Sequence, residues 1–239
     1  MHWKKSLMFF TWQSIKYAES FEHFKLIWSY YRSWKKSFLV GRNSMSDELP
    51  WLNFPALEYL KKNLRPEFKV FEFGGGGSTL FFCKNATETT TVEHDGYWFE
   101  TLKKTIEGKG YRNWNGILVL PEILKDNHSR RPDQPDDYIS SSAQYKNQSF
   151  EKYARTICQF QEGYFDLVLV DGRARPSCIK MALPHVKPGG LLVIDNTDRS
   201  HYLSLVLDDI NKSYENEFDL IAPVRYTPDF TRTTVFIKK

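Results

Sequence analysis

The sequence predicts an α/β fold in which a doubly wound, mostly parallel sheet of seven strands follows a helical N-terminal extension. The apolar runs FDLVLV (165–170) and GLLVID (190–195) are nearly continuous, which is typical of parallel strands covered on both faces. Segments with helical periodicity separate such runs, and this alternation indicates a parallel sheet. A chain of 239 residues, of which 41% are hydrophobic, can build a full core for this fold.

Residues 1–45 are predicted to form a basic, aromatic helical extension. Residues 3–38 contain no Pro or Gly, and large apolar side chains recur there at steps of three and four residues. Residues 1–42 contain eight Lys or Arg against two Glu, although the net charge of the whole chain is only +4. We consider three roles for these helices: packing on the main domain, contact in a homodimer, and peripheral contact with a membrane surface through residues 1–40. Residues 40–50 are predicted to be a linker.

Residues 46–239 are predicted to be the main domain. A short helix begins near Pro55. Strands are expected at 68–73, 89–94, 116–120, 165–170, 190–195, 218–224 and 233–239, and helices at 78–84, 96–108, 174–186 and 200–214. Gly108 is expected to end the helix 96–108. The polar stretch 121–150 is long for a plain loop and is interpreted as a lid carrying Tyr138 and Tyr145, with an unstructured insertion as the alternative.

Four consecutive glycines (74–77) follow the first strand in the stretch KVFEFGGGGSTLFF (69–82). Because Gly destabilises regular structure by about 0.5–1 kcal/mol relative to Ala, the cluster indicates close approach of a ligand to the backbone. A P-loop is set aside because no Lys follows the glycines. The dinucleotide pattern G-x-G-x-x-G fits poorly, because Thr79 or Leu80 occupies the position of its third glycine.

The stretch from Glu72 to Ser78 resembles the first motif of class I S-adenosylmethionine-dependent methyltransferases, an acidic residue followed by G-x-G-x-G, with Ser78 in place of the last glycine. Glu93 ends the second strand, where the resemblance implies hydrogen bonds to the ribose of the cofactor. The segments FDLVLVDGRARP (165–176) and VKPGGLLVIDNTDR (186–199) resemble the fourth and fifth strands of that family, so the likeness covers about residues 50–239. The implied residues for binding S-adenosyl-L-methionine are Glu72, Gly74, Gly75, Gly76, Ser78, Glu93 and His94.

Asp171, Asp195 and Asn196 follow two neighbouring predicted strands. They match the positions of the cation ligands in catechol and caffeoyl-coenzyme A O-methyltransferases, so the resemblance implies Mg²⁺ or another divalent cation as a second cofactor. The alternative role for such residues is to cap the following helix. Those enzymes also carry a Lys at the position of Ala174, which is a departure in this chain.

The catalytic candidates are therefore Asp171, His201 and Arg173, with His128 as a further candidate base. Arg stays protonated and cannot act as a base. Arg173 is instead expected, together with Arg175 or Arg199, to hold a carboxylate or phosphate of the acceptor, and solvated arginines are the alternative.

These residues lead to the hypothesis of an S-adenosylmethionine-dependent O-methyltransferase acting on a small hydroxylated acceptor that is anionic, sugar-like or phenolic. One alternative is an aminopropyl transferase, although DGRARP lacks the further Asp pair typical of such enzymes. Another is a non-catalytic nucleoside-binding scaffold docked by its N-terminal helices. The uneven charge does not indicate a nucleic-acid partner. Three Cys without a C-x-x-C motif favour the reducing cytoplasm over a disulfide framework, and no run of 18 apolar residues predicts a membrane span.

Overall fold

The computed structural model describes residues 3–125 and 129–239 and contains the predicted seven-stranded sheet. The strands of that sheet are β1 (Lys69–Phe73), β2 (Glu88–Glu93), β3 (Trp114–Leu118), β6 (Phe165–Val170), β7 (Val186–Asp195), β8 (Tyr214–Pro223) and β9 (Phe230–Lys238), and β4 (Glu122–Ile123) pairs separately with β5 (Gln148–Ser149). The helices are α1 (Trp3–Tyr17), α2 (Phe21–Ser29), α3 (Tyr31–Lys36), α4 (Ser44–Asp47), α5 (Phe54–Asn63), α6 (Gly77–Asn85), α7 (Gly96–Lys109), α8 (Glu151–Ala154), α9 (Arg175–Ala182) and α10 (Leu207–Ser213).

The strand order is β3-β2-β1-β6-β7-β9-β8, and the predicted doubly wound, mostly parallel fold is confirmed. Strands β1, β2, β3, β6 and β7 are parallel, and β9 runs antiparallel to both β7 and β8. Phe73 at the end of β1 pairs with Val92 on one side and with Val170 on the other. The chain therefore winds outward from β1 in both directions, and the carboxyl ends of β1 and β6 form the switch point at which such sheets bind ligands.

Both faces of the sheet are covered, which explains why its central strands are apolar almost throughout. Val168 and Val170 of β6 belong to a cluster with Phe73 and Tyr153, whereas Leu167 and Leu169 of the same strand point into a second cluster on the opposite face. Each such side chain, fully buried, contributes about 1.5–3 kcal/mol of hydrophobic stabilisation. The sheet is thereby a rigid base for the loops at its carboxyl edge.

The N-terminal helices pack on the antiparallel end of the sheet. Phe10, Ile27 and Trp34 are buried in one cluster with Ile221 of β8 and Phe230 of β9. The Trp34 indole also donates a hydrogen bond to Thr227 O, at 3.0 Å. The outer face of α1 stays exposed at Met8, Trp12 and Ile15. A domain boundary at residue 45, a homodimer and a membrane contact stay predictions.

The stretch 40–50, expected to be a linker, is folded against the main domain. Asn43 caps α4 by accepting a hydrogen bond from Ser46 N, and Ser46 Oγ in turn accepts one from Asn43 N. Asp47 accepts hydrogen bonds from Arg42 Nη2 and from Tyr226 Oη, each at 2.7 Å. These bonds order the stretch and tie it to Tyr226 in the β8–β9 turn. A single helical turn such as α4 leaves no periodic signal in the sequence.

Two predicted helices end differently in the structure. Gly108 lies inside α7, and the helix ends at Gly110, whose φ of +76° is the left-handed cap conformation that Gly favours. Residues 200–214, predicted to be one helix, comprise a 3₁₀ turn (Ser200–Tyr202), α10 and the start of β8. Tyr202 is buried against the guanidinium of Arg175, and Tyr214 is drawn into pairing with Lys238 of β9.

Within the predicted lid, Tyr138 is buried in the core, with the left-handed φ of +55°, whereas Tyr145 lies beside the candidate site. Residues 126–128, which include the candidate base His128, lie outside the described residues. In the described part of the chain no helix has both the length and the apolar character needed to cross a bilayer. Cys83, Cys158 and Cys178 are free thiols.

Candidate functional site

A cavity of about 480 Å³ opens at the switch point, above the carboxyl ends of β1, β2 and β6. Its floor is the glycine turn between β1 and α6, and its walls come from the loops that follow β2 and β6. The residues that line it include Trp51, Gly76, Glu93, Tyr97, Tyr145, Asp171 and Arg173. The position matches the ligand crevice of doubly wound sheets.

Steric contact within the protein explains why the glycine turn begins and ends with Gly. Gly74 has φ +88°, and a Cβ there would come within 2.9 Å of Gly172 Cα. A Cβ on Gly77 would overlap the carbonyl oxygens of Ser44 and Leu49, because the folded 40–50 stretch crosses the start of α6. These glycines are required by the packing of protein on protein.

Gly76 is different, because a Cβ there would meet only the Trp98 ring, at 4.0 Å, and otherwise open space. The backbone around it is held firmly: Gly76 N donates to Thr79 Oγ1 at 2.9 Å, and Trp98 Nε1 donates to Gly75 O at 2.7 Å. Gly76 therefore leaves a cradle of bare backbone on the cavity floor that any larger side chain would fill.

Glu72 lies beneath the turn, fully buried, and its carboxylate is engaged by the protein. Its oxygens accept hydrogen bonds from Ser78 Oγ and Thr91 Oγ1, each at 2.7 Å. Burial raises the pKa of Glu72 to about 7 against the opposing effect of these bonds. The structure therefore places Glu72 beneath the glycine turn and outside the cavity wall, whereas Ser78 lines the cavity and donates its hydroxyl hydrogen bond to Glu72.

Glu93, at the end of β2, presents its carboxylate to the cavity and is held by backbone donors. Its Oε2 accepts from Gly75 N at 2.9 Å, and its Oε1 accepts from His94 N and Asp95 N at 2.7 and 3.0 Å. Burial raises the pKa of Glu93, but the hydrogen bonds and charge of His94 and the backbone N–H groups outweigh it and leave the pKa below its ordinary value. Glu93 is thus an ionised, oriented acceptor at neutral pH.

His94 and Arg173 form the wall that the 121–150 stretch adjoins. His94 Nε2 lies 2.9 Å from the Tyr145 hydroxyl, and the Arg173 guanidinium packs over the Tyr145 ring at 5.2 Å. Arg173 Nε is 3.5 Å from His94 Nε2. Tyr145 therefore connects the predicted lid to both predicted site residues.

Arg175 occupies the centre of the predicted metal site. Its Nη2 donates to Asp171 Oδ1 at 2.7 Å and to Asp171 O at 3.1 Å, its Nε donates to Gly172 O at 3.1 Å, and its Nη1 donates to Asp195 O. The carboxylate of Asp195 accepts from Thr233 Oγ1 at 2.7 Å and from Asn196 Nδ2 at 2.6 Å, and it lies 3.9 Å from Arg175 Nη1. The guanidinium is thus the counter-charge that the two carboxyl groups share.

These residues do not fit a divalent cation. The amide nitrogen of Asn196 faces Asp195, so both Asp195 oxygens already accept hydrogen bonds from protein donors. Among the described residues, no group of three His, Cys, Asp or Glu side chains is placed to hold a metal ion. Asp171, Asp195 and Asn196 are close together as predicted, but around an internal arginine instead of a metal.

We expect Mg²⁺, Mn²⁺ and Ca²⁺ to leave the thermal midpoint of the protein unchanged. A cation that bound the folded state would raise the midpoint in proportion to its occupancy. The measurement compares millimolar concentrations of each chloride salt with EDTA at equal ionic strength. A rise specific to one cation that disappears in Asp195→Asn would contradict the expectation and restore the predicted metal site.

Two smaller cavities adjoin the first one. A cavity of about 350 Å³ is shared between Trp51, Asp171, Arg175, Asn196 and the β8–β9 turn. A cavity of about 250 Å³ lies on the other side of Arg173. His201 stands apart from these walls, with its ring 4.4 Å from the Tyr202 ring. The three cavities meet along the residues that follow β6, which makes Asp171 and Arg173 the boundary between them.

Sequence reasoning missed the aromatic rim of the site. Trp51 is half exposed and lines both the 480 Å³ cavity and the 350 Å³ cavity, and Tyr97, which is 85% exposed, also lines the 480 Å³ cavity. Ser44 also lines that cavity, from the stretch predicted to be a linker. Trp51 precedes a helix without any motif, so only its position in the fold reveals it, whereas Tyr97 follows closely after the predicted site residues Glu93 and His94.

No protein-family model and no curated protein matches the sequence. Solved structures do match. An O-methyltransferase from Bacillus cereus in complex with S-adenosylhomocysteine (SAH) has a TM-score of 0.55 at 12% identity, over 87% of this chain and 96% of that one. The SMU.1697c protein of Streptococcus mutans, in complex with SAH, has a TM-score of 0.52 at 12% identity, over 76% of this chain and 94% of that one. An rRNA methylase from Streptococcus thermophilus has a TM-score of 0.48 at 12% identity, over 79% of this chain and 99% of that one. At these identities the likeness to the first two structures shows the fold alone, and the chain has the Rossmann-like fold of class I methyltransferases.

Proposed function

We propose that the protein is an S-adenosylmethionine-dependent O-methyltransferase acting on a small hydroxylated acceptor. The observation that carries the proposal is the cradle at Gly76 facing the ionised carboxylate of Glu93 across one cavity. Bare backbone accommodates the methionine part of the cofactor, and Glu93 accepts hydrogen bonds from the ribose hydroxyls. Glu72 then acts indirectly, by holding the turn, while Gly74, Gly75, Ser78 and His94 complete the wall.

When bound, the cofactor supplies a methyl group activated by its positively charged sulfur. The protein's own task is to bring the acceptor oxygen into line with that methyl group, to exclude water and to remove one proton. Alignment of this kind is worth about 7–11 kcal/mol of the barrier. Trp51 and Tyr97 at the rim and Tyr145 at the wall are the side chains that restrict water.

Asp171 is the proposed acceptor of the proton. It lines both the 480 Å³ cavity and the 350 Å³ cavity, and its side chain is 27% exposed. Burial raises the pKa of Asp171, and the neighbouring Arg175 and Arg173 oppose that rise. The carboxylate takes the hydroxyl proton as the oxygen gains the methyl group, and SAH leaves as the second product. His201 does not line any of the three cavities, so Asp171 is preferred for this step.

A small acceptor is supported by the size of the two side cavities, about 350 and 250 Å³. Binding of SAH by isothermal titration calorimetry is the first test. Transfer of a labelled methyl group to a panel of phenols, sugars, their phosphorylated forms and total RNA is the second. Absence of SAH binding contradicts the proposal, binding without transfer supports the scaffold alternative, and transfer to RNA replaces the small acceptor by a nucleic acid.

Asp171→Asn is expected to reduce methyl transfer by about 10²–10⁴-fold, as loss of a general base does. Asn keeps the shape of the side chain and can still accept from Arg175, so affinity for SAH is expected to change little. Two quantities are measured for each variant: its affinity for SAH and its rate of methyl transfer in a single turnover. An unchanged rate would show that another group accepts the proton. The matched control is Asp136→Asn, because Asp136 is an exposed carboxylate that pairs with Lys180.

A further inference from the structure

The 250 Å³ cavity has an unusual charge distribution. Arg173, Arg175 and Arg199 line it from the loops after β6 and β7, and a stretch of three serines (140–142) lines it from the opposite side. Of the described residues in its wall, none is acidic. A concave site with several cations and hydroxyl groups attracts an anion.

The three arginines are not equivalent. The donors of Arg175 are committed to Asp171, Gly172 O and Asp195 O, as described above. Arg199 is oriented by the Tyr202 ring, whose hydroxyl accepts from its Nη1 at 3.1 Å and leaves its other nitrogens for a ligand. Arg173 is held by stacking on Tyr145, and its terminal nitrogens have no hydrogen-bond acceptor among the described residues.

The serine side supplies donors without charge. Ser140 and Ser142 are half buried, and Ser142 N donates to Ser140 Oγ at 3.2 Å, which curls the stretch toward the cavity. Hydroxyl groups on one wall and guanidinium groups on the other surround a ligand from several directions. That arrangement suits the three terminal oxygens of a phosphate monoester better than the two coplanar oxygens of a carboxylate.

We propose that this cavity is an anion subsite that takes a terminal phosphate group of the methyl acceptor, with Arg173 and Arg199 as its charged ligands. The inference rests on the proposed function only in assigning the phosphate group to the methyl acceptor. Gly172 and Arg173 belong to the walls of both this cavity and the 480 Å³ cavity, so a phosphate here and the cofactor in the 480 Å³ cavity occupy adjoining, separate spaces.

The experiment titrates the full-length protein with inorganic phosphate by calorimetry, with and without saturating SAH. Sodium acetate and dimethyl phosphate at matched ionic strength are the comparison ligands, the latter representing the phosphodiester of RNA. We expect phosphate to bind with SAH present and more tightly than either comparison ligand. Arg199→Met is expected to weaken phosphate binding by about tenfold, because charge-assisted hydrogen bonds are lost. Arg199→Lys is expected to recover part of the affinity.

Arg112→Met is the matched control, since Arg112 is exposed at the amino end of β3, on the opposite edge of the sheet. Normal phosphate affinity in Arg199→Met overturns the subsite. So does competition between phosphate and SAH, because it would place the anion in the cofactor cavity. Equal affinity for acetate or dimethyl phosphate overturns the preference for a phosphate monoester. If SAH binds and phosphate does not, the subsite fails and the proposed function stands; if SAH itself does not bind, the proposed function fails.

Discussion

Gly76→Val is expected to weaken the binding of SAH by about a hundredfold, which corresponds to about 3 kcal/mol of steric cost. The floor of the cavity offers open space above Gly76, with the Trp98 ring at 4.0 Å as the nearest atom group. A valine side chain would fill the space in which we propose the methionine part of the cofactor lies. Since it meets no protein atom closely, the thermal midpoint is expected to stay within a few degrees of the wild-type value.

Gly108→Val provides the matched control for this variant. Gly108 is exposed inside α7, no atom lies within 4 Å of a Cβ built there, and the residue is far from the cavity floor. We expect unchanged SAH affinity, with a small gain in stability because Gly is a poor helix former. Normal affinity in Gly76→Val, measured by calorimetry on a folded sample, would show that the ligand does not approach this turn.

The glycine turn was predictable from the sequence only in part. The run of four glycines was interpreted as close approach of a ligand to the backbone, and for Gly76 this stays a prediction. The structure attributes the constraint at Gly74 and Gly77 to protein atoms and leaves Gly76 open to the cavity. The difference arises from the 40–50 stretch and from Gly172, which are distant in sequence, so no local pattern contains it.

The parallel core was predictable for the opposite reason. Strands buried on both faces must be apolar at every position, and this requirement is local, so β1, β6 and β7 were placed within a few residues of their observed bounds. Short elements such as α4 and the 3₁₀ turn Ser200–Tyr202 are fixed by tertiary hydrogen bonds and by the burial of Tyr202. Such tertiary contacts leave no trace in the hydrophobic periodicity of the sequence.

The arginines of the DGRARP segment show the same limit at the site itself. From sequence, Arg173 and Arg175 are interchangeable candidates for holding an anion. In the structure they differ: Arg175 is buried and its donors are committed to Asp171, Gly172 and Asp195, whereas the terminal nitrogens of Arg173 have no hydrogen-bond acceptor among the described residues. The turn at Ala174, which has φ +46°, sends the two side chains to different sides.

Arg175→Met is therefore expected to destabilise the protein by about 3 kcal/mol or more near pH 8, as removal of one partner from a buried ion pair does. Met roughly preserves the length of the side chain but leaves the carboxylates of Asp171 and Asp195 without their counter-charge. Three backbone carbonyls, of Asp171, Gly172 and Asp195, also lose their donors. The measurement is the free energy of unfolding from urea titrations.

The pH dependence of this loss separates the charge effect from simple repacking. Burial and the charge of Asp171 raise the pKa of Asp195 to about 7 in spite of Arg175, from an ordinary value of 3.8. The folded state thus holds a proton that the unfolded chain releases, so the free energy of unfolding falls as pH rises between about 4 and 7. Without Arg175 the pKa values of both carboxyl groups rise further, so the decline extends to higher pH and the variant is closest to wild type near pH 5.

Arg173→Met serves as the comparison, because it removes the same charge two residues away without unpairing a described carboxylate. Its stability is expected to stay close to wild type across the same pH range. A second variant, Arg175→Met combined with Asp195→Asn, is expected to regain part of the loss at pH 8, since one of the unpaired charges is gone. A pH-independent loss in Arg175→Met, unrelieved by Asp195→Asn, would mean that the arginine contributes shape rather than charge and would remove the physical basis for excluding a metal at these carboxylates.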